Sequence, residues 1–133
     1  MSAKKAILVV DDEAIILLSL RQELKLAFGP RFTYESAMNA QDALAAIERL
    51  GAHDTSTVLI ISDWLMPGMR GDELLRVVHA KYPTVKLVLL SGHAEDRQMK
   101  AISEEVGLFA YLHKPYRRTE LVDIVRKAVA CTG

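Results

Sequence analysis

The sequence has little of what crosslinks small secreted proteins or holds a chain in a membrane. Cys131 is the only cysteine, so no disulfide bond can form within the chain. No apolar run approaches the roughly 20 residues that a helix needs to span a bilayer, and the apolar run 6–10 is too short for the core of a signal peptide. A lone cysteine fits a reducing compartment. These absences favour a cytoplasmic protein with no membrane contact.

Charge of one sign is not in excess either. Seventeen basic residues balance seventeen acidic ones among 133, so composition supports no contact with nucleic acid or a membrane surface. No glycine-rich phosphate loop follows any predicted strand, which argues against a nucleotide-binding module. The four histidines do not have the spacing of metal ligands, and we expect all of them at the surface. They are His53, His79, His93 and His113. The length favours one domain over residues 1–133, with a core over about 5–130.

Short apolar runs alternate with longer amphipathic segments along the chain. Runs of apolar and β-branched residues predict five strands, over residues 6–10, 32–36, 58–61, 85–90 and 108–112. We place the second of these strands at an edge of the sheet. Helical periodicity predicts five helices, over residues 13–28, 39–50, 71–81, 94–106 and 118–130. Asn39 is the predicted cap of the second helix. Residues 51–57 are predicted as a loop. Five alternating βα units imply an α/β fold with a parallel sheet and helices on both of its faces.

Polar residues follow the predicted strands at the point where each strand ends. Asp11-Asp12 follow the first strand, Asp63 the third, Ser91 the fourth and Lys114 the fifth. In open parallel sheets, sites form at the carboxyl ends of the strands. We therefore expect three carboxylates, one hydroxyl and one ammonium group in a single pocket.

The chemistry of that pocket points to phosphoryl transfer. Close carboxylates repel one another, and Mg²⁺, which prefers oxygen ligands and shares its shell with phosphate oxygens, would relieve the repulsion. A carboxylate beside Mg²⁺ can act as a nucleophile toward a phosphoryl group and form an aspartyl phosphate. Lys114 and Ser91 have the charge and the hydroxyl that the oxygens of a transferring phosphoryl group require.

Four motifs at the strand ends carry a family resemblance. They are Ile7-Leu-Val-Val-Asp-Asp-Glu13, Ile61-Ser-Asp-Trp-Leu-Met-Pro-Gly-Met-Arg-Gly71, Leu89-Leu-Ser-Gly92 and Tyr111-Leu-His-Lys-Pro-Tyr116. With these motifs in this order, the chain resembles response-regulator receiver domains of two-component systems over Lys5 to Val129. The resemblance implies a flavodoxin-like (βα)5 fold, a doubly wound parallel sheet with strand order 2-1-3-4-5 in a single domain.

The resemblance also implies a role for each matching residue. Asp63 stands where receivers accept a phosphoryl group from a histidine kinase or a phosphotransfer protein. Mg²⁺ would be held by Asp11, Asp12, Asp63 and the main-chain carbonyl of Leu65. Ser91 replaces the commoner threonine that contacts the phosphoryl group. Lys114 stands at the phosphate-pairing lysine, before a peptide bond to proline that is usually cis in the family.

Activation and its duration are implied in the same way. Tyr111 stands at the aromatic position that moves with activation, and the surface of the fourth helix, fifth strand and fifth helix would then bind a downstream protein or a second copy of the chain. The fourth helix has only a narrow apolar stripe, so we expect it to be weakly anchored. Leu65 and His93 bracket the path of the hydrolytic water, and the leucine predicts slow loss of phosphate. Trp64 is expected at the rim of the pocket.

Other functions are less consistent with these residues. Mg²⁺-dependent phosphohydrolases with an aspartyl nucleophile usually have a second aspartate two residues later, where this chain has Leu65. A degenerate receiver that only binds proteins would not need the full acidic set and Lys114. We therefore expect no enzyme beyond phosphotransfer to itself and slow autodephosphorylation. A stand-alone regulator and a domain of a larger sensor kinase or transcription factor both fit the sequence.

Overall fold

A parallel sheet of five strands forms the centre of the computed structural model, which describes residues 4–66, 68–92 and 96–130. The strands are β1 (Lys4–Val10), β2 (Thr33–Ala37), β3 (Thr55–Asp63), β4 (Lys86–Ser91) and β5 (Ala110–His113). The helices are α1 (Ala14–Phe28), α2 (Ala40–Ala52), α3 (Gly71–Lys81), α4 (Asp96–Val106) and α5 (Arg118–Ala130), with a 3₁₀ turn over Gly29–Arg31. The strand order is β2-β1-β3-β4-β5, which confirms the predicted (βα)5 doubly wound fold.

Each face of the sheet is covered by its own group of helices. One apolar cluster joins the sheet to α1 and α5 and contains Ile7, Leu24 and Val125. The other joins it to α2, α3 and α4 and contains Leu8 and Leu74. Neighbouring residues of β1 therefore point to opposite clusters, which is why the central strands are continuously apolar rather than alternating. Among the described helices, none is both long and apolar enough to cross a membrane.

Most predicted bounds lie within about two residues of the observed ones, and two differences have a physical reason. The loop expected at 51–57 is wrong, because α2 extends to Ala52 and β3 begins at Thr55, where it pairs with Lys4. The fifth strand covers 110–113 rather than 108–112, since the N–H of Leu108 still donates to the Ser103 carbonyl at the end of α4. The predicted start of the fourth helix, at residue 94, lies outside the described residues. Within the described residues, α4 begins at Asp96.

Candidate functional site

The register of the strands brings the predicted site residues to one edge of the sheet. Val10 pairs with Ser62, Asp63 pairs with Leu90, and Ser91 pairs with His113. The residues at and just after these positions therefore lie side by side at the carboxyl edge, as the rule for parallel sheets predicts.

Three carboxylates meet at this edge. One oxygen each from Asp11, Asp12 and Asp63 lies within 4.8 Å of the other two. Asp11 and Asp63 are buried, and Asp12 is exposed. The Oδ1 atom of Asp11 accepts the N–H of Glu13 at 2.9 Å. Its buried Oδ2 atom has no hydrogen-bond partner within the described ranges.

This donor set fits a hard divalent cation. A buried oxygen without a donor costs free energy, and Mg²⁺ coordination would satisfy it. Burial raises the pKa of Asp11, the amide of Glu13 opposes that rise, and the charge of Asp63 adds to it. A cation at the cluster would remove the penalty on the ionised carboxylate, so the residues present match the Mg²⁺ site that the sequence predicts.

Lys114 supplies the positive charge of the pocket. Its Nζ donates to Oδ1 of Asp63 at 2.8 Å and lies 3.8 Å from Oδ2 of Asp11. Burial alone would lower the pKa of Lys114, but the hydrogen bond and charge of Asp63 outweigh it, so the pKa is raised. The ammonium group therefore stays protonated at neutral pH, beside the carboxylate expected to take the phosphoryl group. The Lys114–Pro115 peptide bond is cis, as the resemblance implies.

Ser91 lies at the expected strand end, and its hydroxyl contacts the main chain of Gly92 and the side chain of Met99. Oγ lies 2.9 Å from the carbonyl oxygen of Gly92 and 2.7 Å from Sδ of Met99 on α4. The side chain is fully buried. The main chain of Ser91 is held by the N–H of Lys114, which donates to its carbonyl at 2.7 Å.

The side chains of Tyr111 and Leu65 are both exposed to solvent. Tyr111 is 40% exposed and packs edge to face on His113, with the ring centroids 6.1 Å apart. Leu65 is 61% exposed, so its side chain is not buried against its own loop. His93, the other residue expected beside the water path, lies outside the described residues. The other three histidines are exposed, as predicted.

The prediction that Trp64 lies at the pocket rim is wrong. Its side chain is buried in the apolar cluster beneath α2, α3 and α4. The N–H of Trp64 donates to the carbonyl of Leu90 at 2.8 Å, so pairing with β4 continues one residue past the end of β3. That pairing holds the indole against the core instead of in the pocket.

Gly71 is a site residue whose function the sequence did not reveal. Its N–H donates to the carbonyl of Trp64 at 2.8 Å, which returns the chain to the strand end. A Cβ atom at this position would overlap the main-chain oxygen of Asp63 and lie 3.1 Å from Cδ1 of Leu89. Glycine at the first position of α3 was the available signal, but no local pattern shows which backbone it approaches.

Comparisons with known proteins agree with this fold. The family model for the response regulator receiver domain matches residues 7–126. The hydrogenase transcriptional regulatory protein HoxA of Cupriavidus necator is 32% identical over 134 residues, covering 100% of this chain and 26% of that protein. The transcriptional regulator NtrC of Escherichia coli is 32% identical over 123 residues, covering 92% of this chain and 24% of that protein. The chain thus spans about a quarter of the length of these curated relatives.

A solved structure gives the same result. The response regulator receiver domain protein of Clostridium thermocellum superposes with a TM-score of 0.82 at 27% identity, covering 97% of this chain and 96% of that one. The family model matches residues 7–126, which is most of the chain. The chain therefore belongs to the response regulator receiver domain family.

Proposed function

We propose that this receiver is a signalling switch that accepts a phosphoryl group on Asp63 with Mg²⁺. The observation that carries the proposal is the buried Asp63 carboxylate, which accepts a hydrogen bond from Lys114 at 2.8 Å within the three-carboxylate cluster. The receiver fold is that of a signalling domain and not of a dedicated enzyme. We take residues 1–133 as one domain, of which the family model matches 7–126.

The transfer step balances with these groups. A carboxylate oxygen of Asp63 attacks the phosphorus atom of a phosphohistidine, the phosphorus–nitrogen bond breaks, and the imidazole leaves as the Asp63 acyl phosphate forms. Lys114 pairs with the phosphoryl oxygens in place of the free carboxylate. When bound by Asp11, Asp12, Asp63 and the Leu65 carbonyl, Mg²⁺ supplies positive charge to those same oxygens.

A histidine kinase or a phosphotransfer protein is the donor that fits the pocket surroundings. Three large apolar side chains are exposed in the segments that follow β1, β2 and β3: Ile15 is 80% exposed, Met38 45% and Leu65 61%. All three segments lie at the carboxyl edge of the sheet. Apolar side chains grouped around a reactive group suit a protein donor that docks there. We place the chain and its proposed donor site in the cytoplasm.

The output surface is formed by α4, β5 and α5 and would bind a downstream protein or a second copy of the chain. The apolar stripe of α4 is buried but narrow, with Met99, Ile102 and Val106 as its buried residues. The ion pair of Arg76 on α3 with Glu105 on α4, at 2.8 Å, is largely exposed and so adds little, about 0–1 kcal/mol. Phosphorylation would draw the Ser91 hydroxyl into the pocket and turn Tyr111 inward. Amide NMR with beryllofluoride should show shifts between residues 99 and 116; changes confined to the pocket would contradict this output surface.

Phosphorylation with a small donor tests the acceptor directly. With Mg²⁺ and acetyl phosphate, intact-mass measurement should show one added phosphoryl group on the wild-type chain. Asp63→Asn should show no stable addition, and a chelator should prevent labelling of the wild type. Asp123→Asn, an exposed carboxylate on α5 that pairs with Arg126, is the matched control and should label normally. Labelling of Asp63→Asn at the wild-type level would exclude Asp63 as the acceptor.

A further inference from the structure

The buried hydroxyl of Ser91 has a partner on α4. Its Oγ lies 2.7 Å from the Sδ atom of Met99 and 2.9 Å from the carbonyl oxygen of Gly92. Ser91 and Met99 are both fully buried. A hydroxyl has one proton to donate, so the sulfur and the carbonyl share it.

The contact spans two elements with different roles. Ser91 ends β4 next to the pocket, and Met99 lies on the narrow apolar stripe that holds α4 to the sheet. Strand pairing with His113 and the N–H of Lys114 hold the main chain of Ser91 in place. With the main chain held, the hydroxyl can reach the pocket by rotation of the Ser91 side chain, and such a rotation takes its proton away from the sulfur.

We propose that Met99 is a positioning residue for the switch, and that its thioether holds the Ser91 hydroxyl on α4 until a phosphoryl group on Asp63 draws it away. The inference rests on the proposed phosphorylation of Asp63. A thioether is a weak acceptor, and a phosphoryl oxygen is charged and forms stronger hydrogen bonds. When the hydroxyl changes partner, Met99 loses its contact with that hydroxyl. Met99 belongs to the apolar stripe that holds α4 to the sheet. Occupancy of the pocket is thereby transmitted to the helix that forms the output surface.

A double-mutant cycle separates this role from simple core packing. Met99→Leu conserves apolar volume but removes the acceptor, so the resting state loses a stabilising contact that the occupied state does not have. With Mg²⁺ present, we expect Met99→Leu to bind beryllofluoride about two- to fivefold more tightly than wild type, the range for one weak hydrogen bond. In a Ser91→Ala background, which has no hydroxyl to hold, the same change should leave the affinity unchanged.

Matched controls make each outcome decisive. Ile102→Leu alters the same stripe one turn away, at a side chain that has no polar atom, and should leave the affinity unchanged. If the wild type binds no beryllofluoride, the proposed function fails and this inference with it. If the wild type binds but Met99→Leu has the same effect with and without the Ser91 hydroxyl, Met99 only packs and the positioning role is overturned while the proposed function stands.

The methyl resonance of Met99 supplies a second measurement that needs no variant of that residue. In the wild-type chain with ¹³C-labelled methionine methyl groups, this resonance should shift when beryllofluoride binds. In Ser91→Ala the shift should shrink, because no hydroxyl leaves the sulfur. An equal shift in both proteins would contradict the proposed exchange, even where Met99→Leu fails to fold.

Discussion

Replacing Gly71 by alanine tests how the pocket is built around the proposed acceptor. Gly71 begins α3 directly against β3, and an added Cβ atom would overlap the main-chain oxygen of Asp63. The same atom would lie 3.0 Å from the carbonyl carbon of Asp63 and 3.1 Å from Cδ1 of Leu89. The hydrogen bond from the Gly71 N–H to the Trp64 carbonyl, at 2.8 Å, resists a shift of the helix away from the strand.

The size of the effect follows from these distances. Non-bonded carbon atoms settle at about 3.5–4.0 Å, and the overlap with the main-chain oxygen of Asp63 is deeper than the two carbon contacts, so the start of α3 or the backbone of Asp63 must move by about 1 Å or more. Neither backbone can rotate out of the way as a flexible side chain would. Overpacking of this kind costs about 1–3 kcal/mol, and the better helix propensity of alanine offsets at most ~1 kcal/mol. Because both overlapping groups are held by the backbone, we take the upper end of that cost and expect Gly71→Ala to lower the free energy of unfolding by about 2 kcal/mol.

Urea unfolding measures the stability, and beryllofluoride titration with Mg²⁺ measures the pocket. Displacement of the Asp63 backbone shifts its carboxylate relative to Lys114, and we expect about a tenfold loss of affinity, equivalent to ~1.4 kcal/mol. Gly51→Ala on α2 is the matched control, because an added Cβ there meets nothing within 4 Å. That variant should be neutral or up to about 1 kcal/mol more stable, with unchanged affinity.

Two results would refute the reasoning. If Gly71→Ala matches Gly51→Ala in stability, the close approach of α3 to Asp63 does not require glycine. If Gly71→Ala is destabilised but binds beryllofluoride as the wild type does, the carboxylate geometry does not depend on the position of this backbone.

Three further predictions concern the lifetime of the phosphate, the metal and alkaline pH. Leu65→Asn should speed loss of phosphate from the labelled chain up to about tenfold, a change of ~1.4 kcal/mol in the barrier, because an amide can orient a water where the exposed leucine cannot; an unchanged decay rate would contradict the blocking role. Asp11→Asn should raise the free energy of unfolding without Mg²⁺, because burial raises the pKa of Asp11 and so disfavours its ionised form at neutral pH. The stabilisation by Mg²⁺ seen in thermal unfolding should shrink in the same variant, and an equal Mg²⁺ effect in both proteins would exclude Asp11 as a ligand. Burial, followed by the charges of Glu23 and Asp11, raises the pKa of Tyr116 from 10.0 to about 12. The stabilisation of the folded state by the neutral Tyr116 hydroxyl is therefore present below pH 10 and is lost as the pH rises to 12. Tyr116→Phe should flatten that alkaline fall in urea unfolding followed across this range, and parallel curves for the two proteins would contradict the assignment.

Local patterns in the sequence were sufficient for most of the secondary structure. The apolar runs of β1 and β4 and the periodicity of α3 and α5 were predicted to within about two residues, the usual uncertainty of helix and strand ends. Asn39 caps α2 as predicted, with its side chain accepting the N–H of Asp42 at 2.8 Å. Such features depend on residues that are close together in the sequence, so the amino-acid sequence alone is enough to recognise them. The polar start of β3 was missed because Thr55 is part of the strand through its pairing with Lys4, which lies far away in sequence.

The membership of the pocket could also be predicted from the sequence. A parallel sheet places all of its carboxyl strand ends at one edge, so Asp11, Asp63 and Lys114 had to converge once the strands were located. The strand order itself came from the family resemblance, because alternation of strands and helices is compatible with more than one order.

The direction of each side chain was decided only by the tertiary structure. Ser91 was expected in the pocket, but its hydroxyl bonds to Met99 on a helix that begins several residues later. Trp64 follows the acceptor, but pairing with β4 holds it in the core. Gly71 reads as an ordinary helix start until the backbone of Asp63 is placed against it. Each of these outcomes depends on atoms from a different helix or strand, and packing in three dimensions is what brings those atoms together.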